Sequence, residues 1–594
     1  MSLTSYSAVV RRLVVSPGTA QPPRGRIVAS AAGVSAVLRA FGKPPEELPV
    51  RTIVYVGAAD PDPALGTRHE GFTVRTVSTP GRALRLADRE LRDGVADFAM
   101  VAGFGELDPH TITVYAVKRA AEAIAEGDRV LGVLDVSGGG DEMPALRPLH
   151  HGRRATDPEH HRLLLWSGQD TADESRVRSE LLPLLSGLHS EAYPALPTAV
   201  PCGTTPGPVR GAAVAVSALA AATVHQAKSV AAARPRPIAL LFPGQGSQHA
   251  GMAAGLYLRE PVFTAAVDAA LSHMGDEGHR IREDWLNSTS PRIPIDDVRR
   301  AQPLLFAIDY ALGRLILSWG IRPAALLGHS AGELVAATLA GVMALPDAVA
   351  MMMARVREAV RIPEGGMLAV AASEEQLYPY LEEDVAIAAV NAAQQVMLAG
   401  SAAPLADVEA GLRADGFTVV AVPATSPFHS PAMAPASDAV ETVYRGIPLR
   451  EPRLPLYSGY TGGLMRTEDA LSPRFWARQI TDTVYFKAAL EELLAVDDML
   501  LVEAGPRQTL TAFARRHRAV RLGASAATAV LPARRGTPEA DRQSVLTAAA
   551  RIWTEGHDLD LDALSRLWTW SDEEPVATVT AAGASWEPAT ALRS

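Results

Sequence analysis

The chain has 594 residues, 48% of them hydrophobic and 21% charged, with a formal net charge of -10. That length exceeds a single core and implies two to four folding units of ordinary globular composition. The acidic balance argues against nucleic acid or an anionic membrane as the main partner. A single cysteine, Cys202, excludes an intrachain disulfide framework and a cysteine-based zinc site, and no metal site is expected.

The N-terminus, MSLTSYSAVVRRLVVSPG, lacks the sustained apolar stretch of a signal peptide. The Ala/Val-rich run at 211–224 is too short to span a bilayer, and a cytoplasmic location is expected. A strand-like VLGVLDV at 130–136 runs into GGGDEMPALRP, and Pro/Gly/Arg-rich boundaries follow near 231–237 and 530–542. Between them PIALLF (237–242) reads as a short buried strand ending in the loop PGQGSQ. Apolar residues at helical spacing occupy 299–320, PAALLG (323–328) is a second buried strand, and a helix follows over 331–341. Strands alternating with helices imply a parallel α/β sheet. Residues 366–423 change to strand, helix, strand, strand, helix, strand, the order of a ferredoxin-like subdomain inserted in the larger body.

The sequence GHSAG (328–332) fits G-x-S-x-G between a strand and a helix. Such an elbow lifts a serine hydroxyl out of a sheet and aims a helix N-terminus at a reacting carbonyl. The competing reading of Ser330 is an ordinary serine in a strand-to-helix turn. A serine nucleophile needs a base. The chain has 15 histidines, and a loop histidine is ordinarily a surface residue. His429, in ATSPFHSPAM, is singled out by its place where the insert returns to the body. Oxyanion donors are expected from the backbone N–H of Ala331 and from that of Gln245 in PGQG, which lacks the Lys-Ser/Thr of a phosphate loop.

Together, LFPGQGSQ, LLGHSAGE, an arginine 25 residues beyond the serine, FHS near the end of the insert and VEAGPRQTL (502–510) resemble malonyl-CoA:acyl carrier protein transacylases. The likeness is closest to the acyltransferase domains of modular polyketide synthases, and it covers about 300 residues. The resemblance implies an α/β-hydrolase-like body with Ser330 as nucleophile, His429 as general base, Gln245 and Ala331 as the oxyanion hole, and His329 beside the nucleophile. In place of a triad aspartate, a backbone carbonyl orients the histidine, and the matching residue is Gln479. Arg355 matches the arginine that binds the free carboxylate of a dicarboxylic acyl group, and a guanidinium suits that task. Phe428 goes with malonyl in the family, since its ring crowds an α-methyl group. Ser426 and Pro427 in SPFH, and Ala331 itself, depart from the usual pattern at the acyl pocket, which leaves an atypical acyl unit open.

Segments 73–103 and 115–140 resemble parts of a β-ketoacyl synthase, with Pro80-Gly81 where that family has its cysteine. The chain is therefore read as a reduced thiolase-like, ketosynthase-like region (1–145), an α/β linker domain (146–235), the acyltransferase (236–535, insert 366–430) and a post-acyltransferase segment (536–594). No permanently bound cofactor is implied. Acyl-CoA is the expected substrate, the acyl group coming from CoA or a carrier protein, and an acyl carrier protein acting in trans, with its phosphopantetheine, is the expected partner. An acyl carrier protein hydrolase using the same Ser and His is the alternative activity.

Overall fold

In a computed structural model of the chain, the described residues are 161–187 and 206–565, apart from 217–218, 233, 288–289, 382–383 and 423. Eight strands and a helical turn within 7–147 are described as well. Those strands form one mixed sheet, in which Phe72–Val77, Thr52–Gly57 and Phe98–Phe104 run parallel. The remaining pairs are antiparallel, among them Ser7–Val15 with Ile112–Arg119. Pro80 and Gly81, the place of the missing cysteine, lie outside the described residues.

The body is built on a six-stranded sheet in the order Gly463–Leu464, Leu456–Ser458, Ala325–Gly328, Ile238–Phe242, Leu500–Glu503, Ala526–Ala529. Every pair is parallel except the Gly463–Leu464 edge. The central strands IALLF, ALLG and LLVE are buried throughout, because helices cover both faces. The helix Val298–Ser318 is buried along most of its length, and the short helix Ala331–Ala340 follows the second strand directly. Ile238–Phe242 pairs with Ala325–Gly328 on one side and Leu500–Glu503 on the other, so the chain departs in opposite directions from it. A crevice opens at the carboxyl ends of strands placed this way.

Residues 365–422 form a separate antiparallel sheet ordered Val385–Ala392, Gln395–Ser401, Gly365–Val370, Val419–Val422, with the helix Ala402–Ala414 between its last two strands in sequence. It has its own core, including Leu368, Val396, Leu398 and Leu412. The helix expected over SEEQLYPYLE is cut to Glu374–Leu377 and a 3-10 turn at Tyr378–Tyr380. Pro379 has no N–H to continue the ladder of i→i−4 bonds, although Tyr378 before it keeps helical dihedrals (φ -52°, ψ -38°).

A three-stranded sheet of Arg162–Gly168, Val209–Ala215 and Val230–Ala231 precedes the body. The late helix Pro538–Thr554 returns to pack on it. Trp553, at the end of that helix, is buried, and its Nε1 donates to the carbonyls of Trp166 (3.3 Å) and Gly211 (3.1 Å). The Arg210 guanidinium stacks 4.5 Å above its ring. Among the described residues no helix is long and apolar enough to cross a membrane.

Candidate active site

Two loops leave the carboxyl ends of the adjacent strands Ile238–Phe242 and Ala325–Gly328 and meet. At the second, Ser330 takes φ 52°, ψ -118°, a strained conformation for a residue with a side chain. The turn is this tight because the chain passes through the space of missing side chains. A Cβ on Gly332 would lie 2.1 Å from the Phe242 carbonyl oxygen, and one on Gly328 would lie 2.2 Å from Glu333 N. The PGQG loop closes in the same way. A Cβ on Gly244 would sit 2.5 Å from the His329 carbonyl oxygen and 3.4 Å from Ala331 N, which puts the start of this loop against the elbow. Beyond it, the Gln245 side-chain oxygen accepts from Gln302 Nε2 at 2.9 Å, and Gln302 is itself buried.

Ser330 Oγ lies 2.7 Å from His429 Nε2. The His429 backbone sits in the left-handed region (φ 65°), and its N–H donates to the Ile480 carbonyl at 2.8 Å. Nδ1 lies 3.0 Å from the Asp482 carbonyl oxygen. A carbonyl only accepts, so Nδ1 carries the proton and the Nε2 lone pair is left for the serine hydroxyl. Burial, then the Arg355 charge, pushes the imidazole down to about 3, with the backbone acceptors pulling the other way. The ring is therefore neutral at physiological pH and able to take a proton. The orienting hydrogen bond, expected from the Gln479 carbonyl, is made by Asp482, three residues on, while the Gln479 backbone also acts to raise the imidazole's pKa. The turn after the helix Pro473–Arg478 brings the Asp482 carbonyl to the ring.

The Gln479 side chain has another partner, donating to Glu333 Oε1 at 3.0 Å. Glu333, in the first turn of the elbow helix, also accepts from Ser458 Oγ (2.7 Å) and Gly459 N (3.1 Å). Its burial raises its pKa to about 8. His329 Nε2 donates to Asn391 Oδ1 at 2.7 Å, so the insert reaches the site through its strand Val385–Ala392. Ser426, Pro427 and Phe428 are buried just before His429, and the Pro427 side chain fills the space a side chain on Gly365 would need.

Arg355, on the helix Leu345–Ala359, is 3% exposed, and its guanidinium carbon lies 5.0 Å over the Phe428 ring. Its Nε and Nη2 are buried without a hydrogen-bond partner. A guanidinium removed from water and left unpaired is costly, and such a group is set to receive an anion. No cluster of metal-ligating side chains is found among the described residues.

A hydroxyl on a strained elbow, a neutral imidazole at hydrogen-bond distance and a crowded backbone loop beside them form an arrangement chemically equipped for acyl transfer. The Acyl transferase domain family matches residues 239–558, and the chain belongs to it: it is an acyltransferase enzyme. That match runs past the boundary at 535 expected from the sequence and takes in the returning helix. Over 337 residues the chain is 34% identical to one of the phenolphthiocerol/phthiocerol polyketide synthase subunits of Mycobacterium tuberculosis, covering 57% of this chain and 22% of that protein. It is 36% identical over 335 residues to the mycoketide-CoA synthase of the same organism, covering 54% of this chain and 8% of the other. The chain thus spans less than a quarter of the length of these curated relatives. Among solved structures it is similar to the acyl transferase domain of SpnD in complex with 2-(pent-4-yn-1-yl)malonyl, with a TM-score of 0.59 and 26% identity, covering 68% of this chain and 97% of that one. The acyltransferase domain from the second module of the salinomycin polyketide synthase gives a TM-score of 0.53 and 30% identity, covering 70% and 87%.

Three residues at the site, Asn391, Tyr460 and Glu333, carry no role that the sequence assigns. Nothing local marks Asn391, which lies in an apolar strand and reaches His329 across 62 residues of sequence. Glu333 is the more legible, since a carboxylate inside an apolar helix at full burial must find partners.

Proposed function

We propose that the protein transfers a dicarboxylic acyl group, malonyl first, from an acyl-CoA to the phosphopantetheine thiol of an acyl carrier protein acting in trans. Ser330 Oγ attacks the thioester carbonyl as its proton passes to His429 Nε2. The oxyanion is held by the N–H groups of Ala331 and Gln245 while the CoA thiolate leaves and takes that proton. In the second half His429 takes the proton of the carrier thiol, the sulfur attacks the acyl-serine, and the proton returns to Ser330. Asp482 keeps His429 in the tautomer this requires, with Gln479 assisting.

The observation that carries the acyl class is the buried Arg355 with two unspent N–H donors beside Phe428. A monocarboxylic chain leaves that charge unpaired, which also speaks against the hydrolase alternative. The likeness to a domain solved with a malonyl derivative supports the same reading. Incubation with malonyl-CoA adds one malonyl mass to the intact protein, and Ser330→Ala takes none. Absence of the adduct on the wild-type chain, or its persistence in Ser330→Ala, rejects the proposal.

The arrangement of residues 365–422 is read as a ferredoxin-like insert on an α/β-hydrolase-like body, and residues 146–235 as the linker domain. Residues 1–145 are read as a reduced thiolase-like region serving carrier docking, 536–594 as the post-acyltransferase segment, and the setting as cytoplasmic.

A further inference from the structure

Around the Ser330–His429 pair, three buried side-chain donors have no hydrogen-bond partner: Arg355 Nε, Arg355 Nη2 and the Tyr460 hydroxyl, which the Arg355 charge reaches. The Tyr460 ring centre is 6.0 Å from that of His429, and His429 is 6.4 Å from Phe428, over which Arg355 lies. The Ser330 hydroxyl is within reach of the phenol and bears on its titration, but it is engaged with His429 at 2.7 Å. Burial raises the phenol's pKa, against the opposing pull of the Arg355 charge, so the group keeps its proton as a donor. Tyr444 also feels the Arg355 charge, but its hydroxyl is spent on the Met351 carbonyl at 3.1 Å.

Tyr460 is held firmly. Its N–H donates to Ser458 Oγ at 3.1 Å, and Ser458 donates in turn to Glu333, the residue tying the elbow helix to Gln479. Phe475 meets its ring edge-on at 6.4 Å. A dry hydroxyl and a dry guanidinium edge on the same site present three donors, and a carboxylate presents two oxygens with about four lone-pair sites.

The geometry points to Tyr460 as a specificity residue whose hydroxyl donates to the distal carboxylate of the acyl group while the Nε–Nη2 edge of Arg355 binds it bidentately. This rests on the dicarboxylic reading above and adds a second, uncharged donor to it. Because a phenol donates without bringing charge, it strengthens the grip on one carboxylate without recruiting a second anion.

The test is Tyr460→Phe in the full chain, which keeps the ring and removes one oxygen. Acylation by malonyl-CoA and by acetyl-CoA is followed as CoA release and intact mass, with a fluorophosphonate probe reporting Ser330 reactivity. The expected result is a fall of roughly tenfold or more in kcat/KM for malonyl-CoA, with acetyl-CoA and probe rates at wild-type level. Unchanged malonyl-to-acetyl selectivity overturns the inference. So does a parallel loss of all three rates, which would assign the hydroxyl to the Ser330–His429 pair. If the wild-type chain itself takes no malonyl group, the dicarboxylic reading falls and this one with it. A wild-type adduct with unshifted selectivity sinks Tyr460 alone.

Discussion

Arg355 has the signature of a residue kept for its ligand. Its guanidinium is almost fully buried, packs on Phe428 and leaves Nε and Nη2 unpaired. Replacing such a cation with an apolar chain of similar length removes a desolvation cost. Arg355→Met is therefore expected to keep or raise stability, by about 1 kcal/mol, while malonyl transfer falls by roughly a hundredfold or more. Denaturant unfolding and malonyl-CoA kinetics on the same preparation check both halves. A structural arginine would show the opposite pairing.

His429 makes a second prediction at this scale. Its folded value is pushed down to about 3 from an ordinary 6.5, so the neutral base persists well into acid. The acylation rate is expected to stay flat from pH 7.5 to 5.5, and an acid limb centred near 6.5 would contradict the geometry. Stability runs with the same sign. The unfolded chain binds this proton below about 6.5 and the folded chain resists it, so the contribution is complete above 6.5 and is lost as pH falls toward 3.

At the scale of elements, the site depends on two loops pressed together where side chains are missing. Gly332 is the tightest point, because an added Cβ meets a backbone oxygen at 2.1 Å and backbone yields little. Gly332→Ala is expected to cost more than about 3 kcal/mol and to abolish the acyl-enzyme adduct in whatever fraction folds. Unfolding midpoints and intact mass measure the two effects. The elbow was legible from GHSAG and its flanking apolar runs, since short buried strands and an Ala-rich helix have clear local signatures. The length of the first insert helix was not, because the periodicity of SEEQLYPYLE hid the stop imposed by Pro379. Nor was the choice between the Gln479 and Asp482 carbonyls legible. Every residue offers a carbonyl, and only the path of the backbone after Arg478 decides which one faces Nδ1.

At the scale of the whole molecule, the helix Pro538–Thr554 joins the end of the acyltransferase to a sheet that lies ahead of it in the chain. Trp553 is its anchor, buried against Trp166 and Gly211 under Arg210. Trp553→Ala is expected to destabilise the protein by about 3–5 kcal/mol and to leave the acylation rate of the folded protein unchanged, as thermal unfolding and single-turnover acylation would report. A rate loss in fully folded variant would instead couple this sheet to the site.

The sequence determined the strand–serine–helix elbow through its local pattern, and it marked the histidine, the glycine-rich loop and the arginine through the likeness of their motifs, taken together, to the acyltransferase family. The tertiary structure alone decided that Asp482 orients His429, that Asn391 holds His329, that Glu333 gathers Ser458, Gly459 and Gln479, and that the Tyr460 hydroxyl stands unspent within reach of the Arg355 charge. These are pairings across tens of residues or more. Their energy comes from burial and from the geometry of partners that no local spacing encodes.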